Sequence, residues 1–291
     1  MNIQFVRNGL RNYPILILLV FATASWSYAH LLNEKRTQLP DGHIKVQTYD
    51  SAGLLKEEEL FINVDSGLTR DGYSKTFFPN GQINTLNFFK NGIVDSAFLI
   101  YYEDGKLCAL GHIRDGRLNG MFYSFYRNGD TLQKEHYMHD ELMGSQYRFD
   151  SGTHKIYQYV FTQHTKSYKL LIEYNEQGNI IKRKGKSLMI ELDDEKKVYD
   201  KRDTAGVILV LARPPKAKAS VVLYKNNLSN VIYKYTYADF HYLKFADFNT
   251  VNLQYPCSKG SIKIIAVSEL TDSLTNKRII KDTSYLNIRV E

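Results

Sequence analysis

Three dipeptides, Asn80-Gly81, Asp104-Gly105 and Asn128-Gly129, stand 24 residues apart, and each closely follows a pair of aromatics: Phe77-Phe78, Tyr101-Tyr102 and Phe125-Tyr126. Two further phases keep the same interval: Gly92 with Gly116, and Gly72, Ser96, Gly120 and Gly144. Agreement among independent phases marks an internal repeat, and a repeat of this length is one supersecondary unit that buries its apolar surface by stacking on its neighbours. Asn-Gly and Asp-Gly between strand-like runs favour a two-residue hairpin turn in which both central residues take positive φ. Each copy therefore reads as a β-hairpin. A second turn, "KNGIVDS" at Lys90 to Ser96 and "RDGRLNG" at Arg114 to Gly120, leads to the next hairpin. In the third copy Asp140 replaces the first glycine, and at Phe149 to Gly152 the turn glycine arrives one residue early, as in a terminal repeat.

These residues resemble the variant MORN repeat, whose units run aromatic-aromatic-x-Asn-Gly, then a strand, then a Gly-x-x-x-Gly turn. The resemblance covers Gly72 to Phe149 well and extends more loosely to "YDSAGL" at Tyr49 and "YNEQGN" at Tyr174. It implies an elongated antiparallel sheet of stacked hairpins. It carries no catalytic residue over, because the recurring positions are turn glycines (Gly81, Gly105, Gly129, Gly92, Gly116) and sheet aromatics. Bacterial proteins of this kind are often labelled antitoxin-like, which implies a cytoplasmic inhibitor and conflicts with the export signal described below.

Composition supports an all-β body: 13% of residues are aromatic, with 22 Tyr, 15 Phe and one Trp, and such rings suit a pleated, half-buried surface. Neighbouring strand residues point to opposite faces. Across a two-residue turn Phe78 would share a face with Ile83 and Phe89, Tyr102 with Leu107 and Ile113, and Tyr126 with Tyr137, forming the packed side. The other side would hold Phe77, Leu86 and Phe88, then Tyr101, Leu110 and His112, then Phe125, Leu132, Lys134 and His136. That mixture of rings and polar groups is the character of contact surfaces. Phe77, Tyr101, Phe125, His112 and His136 are accordingly the candidate binding residues.

From Ser187 the 24-residue rhythm gives way to seven short β-rich runs, from "SLMIEL" to "YLNIRV", the number and length of a β-sandwich. In the last, Leu286, Ile288 and Val290 face inward and Asn287 and Arg289 outward. Pro214-Pro215 falls between two strands. The final two strands resemble those of extracellular immunoglobulin-like domains, which act as spacers or adhesive modules. The expected organisation is a signal peptide over 1–29, hairpin repeats over 30–186 (clearest over 72–150) and an immunoglobulin-like sandwich over 187–291.

The N-terminus carries Arg7 and Arg11, then 22 uncharged residues from Asn12 to Asn33 centred on "PILILLVFA". The short apolar run followed by Ser27-Tyr28-Ala29 has the form of a cleaved signal, with the mature chain starting at His30. An uncleaved anchor is the alternative, since the uncharged stretch is long enough to span a bilayer. Either reading exports the body, to the periplasm, outer envelope or exterior. Contact with membrane is expected only through this segment, if it stays attached.

Chemistry is sparse elsewhere. His112 and His136 are equivalent in successive repeats, but equivalent residues lie two strands apart, ~10 Å, too far for comfortable zinc ligation. His136 and His139 in "EHYMHDE" would face different ways. "DSGLTRDG" at Asp65 to Gly72 lacks the bidentate Glu of a calcium loop, because Thr76 stands in its place. No metal and no cofactor are expected. Hydrolase, phosphate-loop and zinc-protease motifs are absent, although a triad assembled in space escapes sequence inspection. Cys108 and Cys257 read as small buried residues, with a bridge between the two halves of the chain as the other reading. The net charge of +7 suits an anionic surface, yet "KRKGK" at Lys182 to Lys186 is soon followed by "ELDDE" at Glu191 to Glu195, so no nucleic-acid partner is expected. The sequence thus reads as a non-enzymatic binding or scaffolding module of the bacterial envelope, its partner an envelope protein or glycan. An extracytoplasmic hydrolase with a loop-assembled site is the alternative.

Overall fold

A computed structural model describes residues 33–290 apart from 66, 164–167, 193–197, 201, 213, 237–240, 244–247, 258–261 and 276. The N-terminal apolar run and Ser27-Tyr28-Ala29 lie outside the described residues. The chain divides into two compact units, Met1–Gly129 and Asp130–Glu291. Among the described residues every regular element is a strand. Of these described strands the first unit has ten, and the second has six more of the repeat region and eight in two four-stranded sheets.

The first unit contains β1 (Asn33–Gln38), β2 (Ile44–Tyr49), β3 (Leu55–Val64), β4 (Gly67–Phe77), β5 (Ile83–Lys90), β6 (Ile93–Val94), β7 (Ser96–Tyr101), β8 (Leu107–Arg114), β9 (Arg117–Leu118) and β10 (Gly120–Phe125). The main strands neighbour one another in the order β1-β2-β3-β4-β5-β7-β8-β10, with β6 on β5 and β9 on β8. In the calcium-loop-like stretch, Gly67 to Gly72 belong to β4, one strand of this meander.

The hairpin turns differ from the sequence expectation. Phe78 N donates to Gln82 O (2.8 Å) and Gly81 N to Phe78 O (2.9 Å); Tyr102 and Gly105 repeat the pattern with Lys106. Glycine takes positive φ (+82° at Gly81, +79° at Gly105) while Asn80 and Asp104 do not. The loop therefore has three residues, a type I turn followed by a left-handed glycine, rather than the two-residue form. The preceding Asn or Asp is kept for its side chain: Asn80 Oδ1 accepts Gln82 N at 3.0 Å and Asp104 Oδ1 accepts Lys106 N at 3.2 Å. The two-residue turn with positive φ at both centres occurs at the other end of each repeat, at Asn91-Gly92 (+50°, +81°), Asp115-Gly116 (+51°, +71°) and His139-Asp140 (+50°, +70°).

The looser relatives have the same turn. Asp50 and Gly53 bond as Phe78 and Gly81 do, and so do Asn175 and Gly178. A further copy at Leu39 to His43, with Gly42 at +93°, escaped the sequence reading; its signal is "PDG" at Pro40 to Gly42.

The second unit opens with β11 (Thr131–Met138), β12 (Glu141–Leu142), β13 (Gly144–Phe149), β14 (Ile156–Thr162), β15 (Tyr168–Tyr174) and β16 (Ile180–Gly185). It continues with β17 (Leu188–Leu192), β18 (Thr204–Leu211), β19 (Ala217–Lys225), β20 (Val231–Thr236), β21 (His241–Leu243), β22 (Phe248–Pro256), β23 (Ile262–Asp272) and β24 (Arg278–Ile288). The two small sheets run β17-β18-β22-β21 and β20-β19-β23-β24. All seven expected runs are strands, and β21 is an eighth. The alternation in β24 holds, with Ile288 and Val290 buried and Asn287 and Arg289 exposed.

One hydrophobic core serves this unit. Tyr159, Phe161, Leu170 and Ile172 from the last hairpins join Leu188, Val207, Leu209, Val221, Leu223 and Ile264 in a single cluster. A buried polar link adds direction to this contact. Ser187 donates from both N and Oγ to Asp282 Oδ2 at 2.7 Å, Arg183 pairs with the other carboxylate oxygen, and Ser284 Oγ donates to Leu188 O at 2.6 Å. The change of rhythm at Ser187 therefore lies inside one core.

Candidate functional site: a half-exposed sheet face

Register in the first unit sorts the side chains into two faces. Thr76 pairs with Thr85, Thr85 with Ile100, Ile100 with Ala109 and Ala109 with Ser124. On this face Phe98, Ile100, Ala109, Ile113, Phe122 and Ser124 are all buried. Gly111 makes room there, since a Cβ on it would lie 2.6 Å from the Phe98 ring.

The opposite face carries a second cross-strand row, in which Lys75 pairs with Leu86, Leu86 with Leu99, Leu99 with Leu110 and Leu110 with Tyr123. All five are only partly buried. Beside them Tyr73 pairs with Phe88 and Ala97 with His112; Phe88 keeps 38% of its surface and His112 is exposed. Apolar side chains left half-wet in a continuous row mark a contact surface more strongly than scattered ones do.

Strand alternation places Phe77, Tyr101 and Phe125 on this face, two residues beyond Lys75, Leu99 and Tyr123. Each is half-buried. The partners assigned from sequence are corrected: Ile83 faces Phe77 and Leu107 faces Tyr101, not Phe78 and Tyr102, because the register shifts at Thr76/Phe77 and Ile100/Tyr101. The inserted residues are Asn84 and Cys108. His136 belongs to the second unit and is 2% exposed, so the structure gives it a different environment from His112. Leu99, Tyr123 and Tyr73 were missed by the sequence reading. Leu99 and Tyr123 were discoverable, because Lys75, Leu99 and Tyr123 are themselves 24 residues apart.

Electrostatics on this face centre on Glu58, which accepts from Tyr73 Oη at 2.9 Å and Gln47 Nε2 at 2.8 Å and lies 3.5 Å from Lys75 Nζ. Burial raises the Glu58 carboxyl, but these donors outweigh it and hold the group below its ordinary value. Burial, together with the bond to Glu58, pushes the Tyr73 hydroxyl up to about 12. Lys75 Nζ also sits 4.1 Å from the Tyr73 ring centroid.

Residues 70–91 match the MORN repeat variant family. The matched stretch is most of one repeat, from Arg70 within β4 through the Gly81 turn and β5 to Asn91. A solved structure of a S. aureus TarM mutant in complex with Fondaparinux, alpha-GlcNAc-glycerol and UDP is similar at 11% identity and a TM-score of 0.22, over 59% of this chain and 26% of that one. The chain thus spans about a quarter of that protein, and a score at this level identifies neither fold nor activity. No curated protein matches the chain.

Among the described residues no group of three His, Cys, Asp or Glu side chains is placed to hold a metal ion, and no helix is long and apolar enough to cross a membrane. Cys108 is a buried thiol pushed up by burial. Cys257 is 7% exposed within the core of the second unit.

Proposed function

We propose that this chain is an exported, non-enzymatic binding or scaffolding module of the bacterial envelope, which holds its partner on the half-exposed face of the first unit. The observation that carries the reading is the row Leu86–Leu99–Leu110–Tyr123, flanked by Phe88 and by Tyr101 and Phe125. A fold that buries one face of a sheet and leaves leucines and rings half-wet on the other has surface to offer a partner. Export rests on the Arg-flanked apolar run and Ser27-Tyr28-Ala29. The sandwich, read as immunoglobulin-like, serves as spacer or second adhesive surface.

Crosslinking in intact cells, followed by mass spectrometry, tests this reading. The wild-type chain should yield defined adducts on this face. Tyr101→Ala with Phe125→Ala should remove them with a modest change in melting temperature, whereas Phe78→Ala with Ile113→Ala should lower stability by about 3 kcal/mol or more. Adducts that survive the first pair would move binding elsewhere, with the sandwich the next surface to test.

A further inference from the structure

The half-exposed face of the first unit segregates charge as well as apolar surface. Lys35 pairs with Gln47, Lys45 with Leu60, Lys90 with Ile93 and Arg114 with Arg117. Alternation along the strands carries all five cations onto the face of Glu58, Phe88 and His112. Lys35, Lys90, Arg114 and Arg117 are exposed and Lys45 is half-buried. Among the described residues none of the five is in an ion pair. The carboxylates near them are engaged: Glu58 by Gln47, Tyr73 and Lys75, and Asp71, beside the Gly92 turn, by His43 and the Asn91 N–H. The opposite face of β1 and β3 holds Glu34, Glu57 and Glu59, and there Glu34 pairs with Arg36 and Glu59 with Arg70.

Arg114 and Arg117 are direct cross-strand partners, an arrangement that costs a hairpin stability and that a bound anion would offset. Lys45, Lys90 and Arg114 all lie toward the same edge of the sheet, beside the turns at Gly42, Gly92 and Gly116. Counting strands, Lys45 and Lys90 are ~14 Å apart and Lys90 and Arg114 ~10 Å. Next to this basic margin stand Phe88, Tyr73 and His112, and beyond them the leucine row.

We propose that this face binds an anionic polysaccharide, with sugar rings against Phe88, Tyr73 and Tyr123 and acid groups paired by Lys90, Arg114 and Arg117. The proposal rests on the reading of this face as the binding surface and narrows its partner to a glycan bearing acid groups. Lys90 and the Arg114–Arg117 pair, ~10 Å apart, make two basic points, sparse for nucleic acid, whose strand in a duplex carries a phosphate every ~3.4 Å; they suit a polymer in which acid groups are separated by sugar rings. Half-buried rings offer stacking surface but do not reach into a bilayer.

Titration of the full exported chain with polygalacturonate and hyaluronate, against neutral dextran, polyphosphate, oligo-dT and phosphatidylglycerol vesicles, tests it. Saturable, salt-weakened binding to an acidic polysaccharide is expected, with none to dextran. Lys90→Ser with Arg114→Ser should weaken it roughly ten-fold or more and shift the melting temperature by only about 2 °C. Phe88→Ala should weaken it comparably, which simple charge attraction would not produce. Failure to bind either acidic polysaccharide, equal binding by the variants, or tighter binding to polyphosphate, oligo-dT or vesicles overturns the proposal. A protein crosslinked at Tyr101 and Phe125 would leave the face's binding role standing while overturning the polysaccharide.

Discussion

The Tyr102 hydroxyl donates to the Phe125 carbonyl at 2.7 Å, tying the second of one repeat's paired aromatics to the first of the next. The guanidinium of Arg127 lies 4.7 Å from the same ring and 3.8 Å from Asp104. One repeat earlier, Asn80 Nδ2 donates to Glu103 O at 2.7 Å. Successive turns are thus linked sideways, and stacking at the turn edge supplements the ladder between strands. Tyr102→Phe keeps the ring and removes the bond, so denaturant unfolding should show a loss of about 1 kcal/mol. An unchanged midpoint would mean that water replaces the tyrosine without cost.

Turn chemistry gives a pair of opposed expectations. Gly105 sits at φ +79° and Asp140 at +70°. Gly105→Val places a β-branched residue where it fits poorly and should cost about 1 to 3 kcal/mol, with Gly105→Asn milder. Asp140→Gly restores the residue that the two preceding copies use at this position and should raise stability by about 0.5 kcal/mol. Melting curves that moved in the same direction for Gly105→Val and Asp140→Gly would contradict the turn assignment.

The turn glycines and the seven strand runs were legible because each is written in a few adjacent residues, and the period and the all-β class because those local patterns recur along the chain. What was not legible depended on a single inserted residue or on distant chain. Asn-Gly serves either turn type; the choice is fixed by how the strands pair beyond it, where Asn84 and Cys108 are inserted. His112 and His136 occupy equivalent positions, yet one is exposed and the other 2% exposed, a difference that no local pattern encodes. Leu170 and Ile172 precede the break in rhythm and Leu188 follows it, but all three share one core.

Gly111 supports a packing prediction. Its Cβ position lies 2.6 Å from the Phe98 ring and 3.1 Å from that of Phe122, and these two rings sit 6.2 Å apart. Gly111→Ala should therefore cost about 1 to 3 kcal/mol by forcing the rings aside. Adding Phe98→Leu should recover part of the loss, which a double-mutant cycle would read as coupling.

Asp282 anchors the polar link within the second unit. Removing its carboxylate in Asp282→Ala leaves Ser187, 0% exposed, without the acceptor of two bonds, and deprives Arg183 of its counter-ion. The expected loss is about 3 kcal/mol or more. Hydrogen exchange should rise first in β16, β17 and β24; uniform destabilisation of the unit would show that the link is not local.

The last expectation concerns Glu135, 3% exposed on β11 and accepting from Tyr137 Oη at 2.9 Å. Burial raises its carboxyl above the ordinary range, against the lowering effects of Tyr137, Gln133 and Arg148. A raised pKa in the folded state means that folding favours the protonated form. The stability this group contributes is fully present below the unfolded carboxyl value of about 4.5 and is lost as pH rises through the higher folded value. Glu135→Gln, which cannot ionise, should melt above wild type at pH 8 and converge with it near pH 4. The hydroxyl of Tyr137 is itself raised by burial and by Glu135, so Tyr137 stays neutral across this window and does not confuse the measurement. A difference between the two proteins that is constant from pH 4 to pH 8 would show that Glu135 does not change its charge on folding.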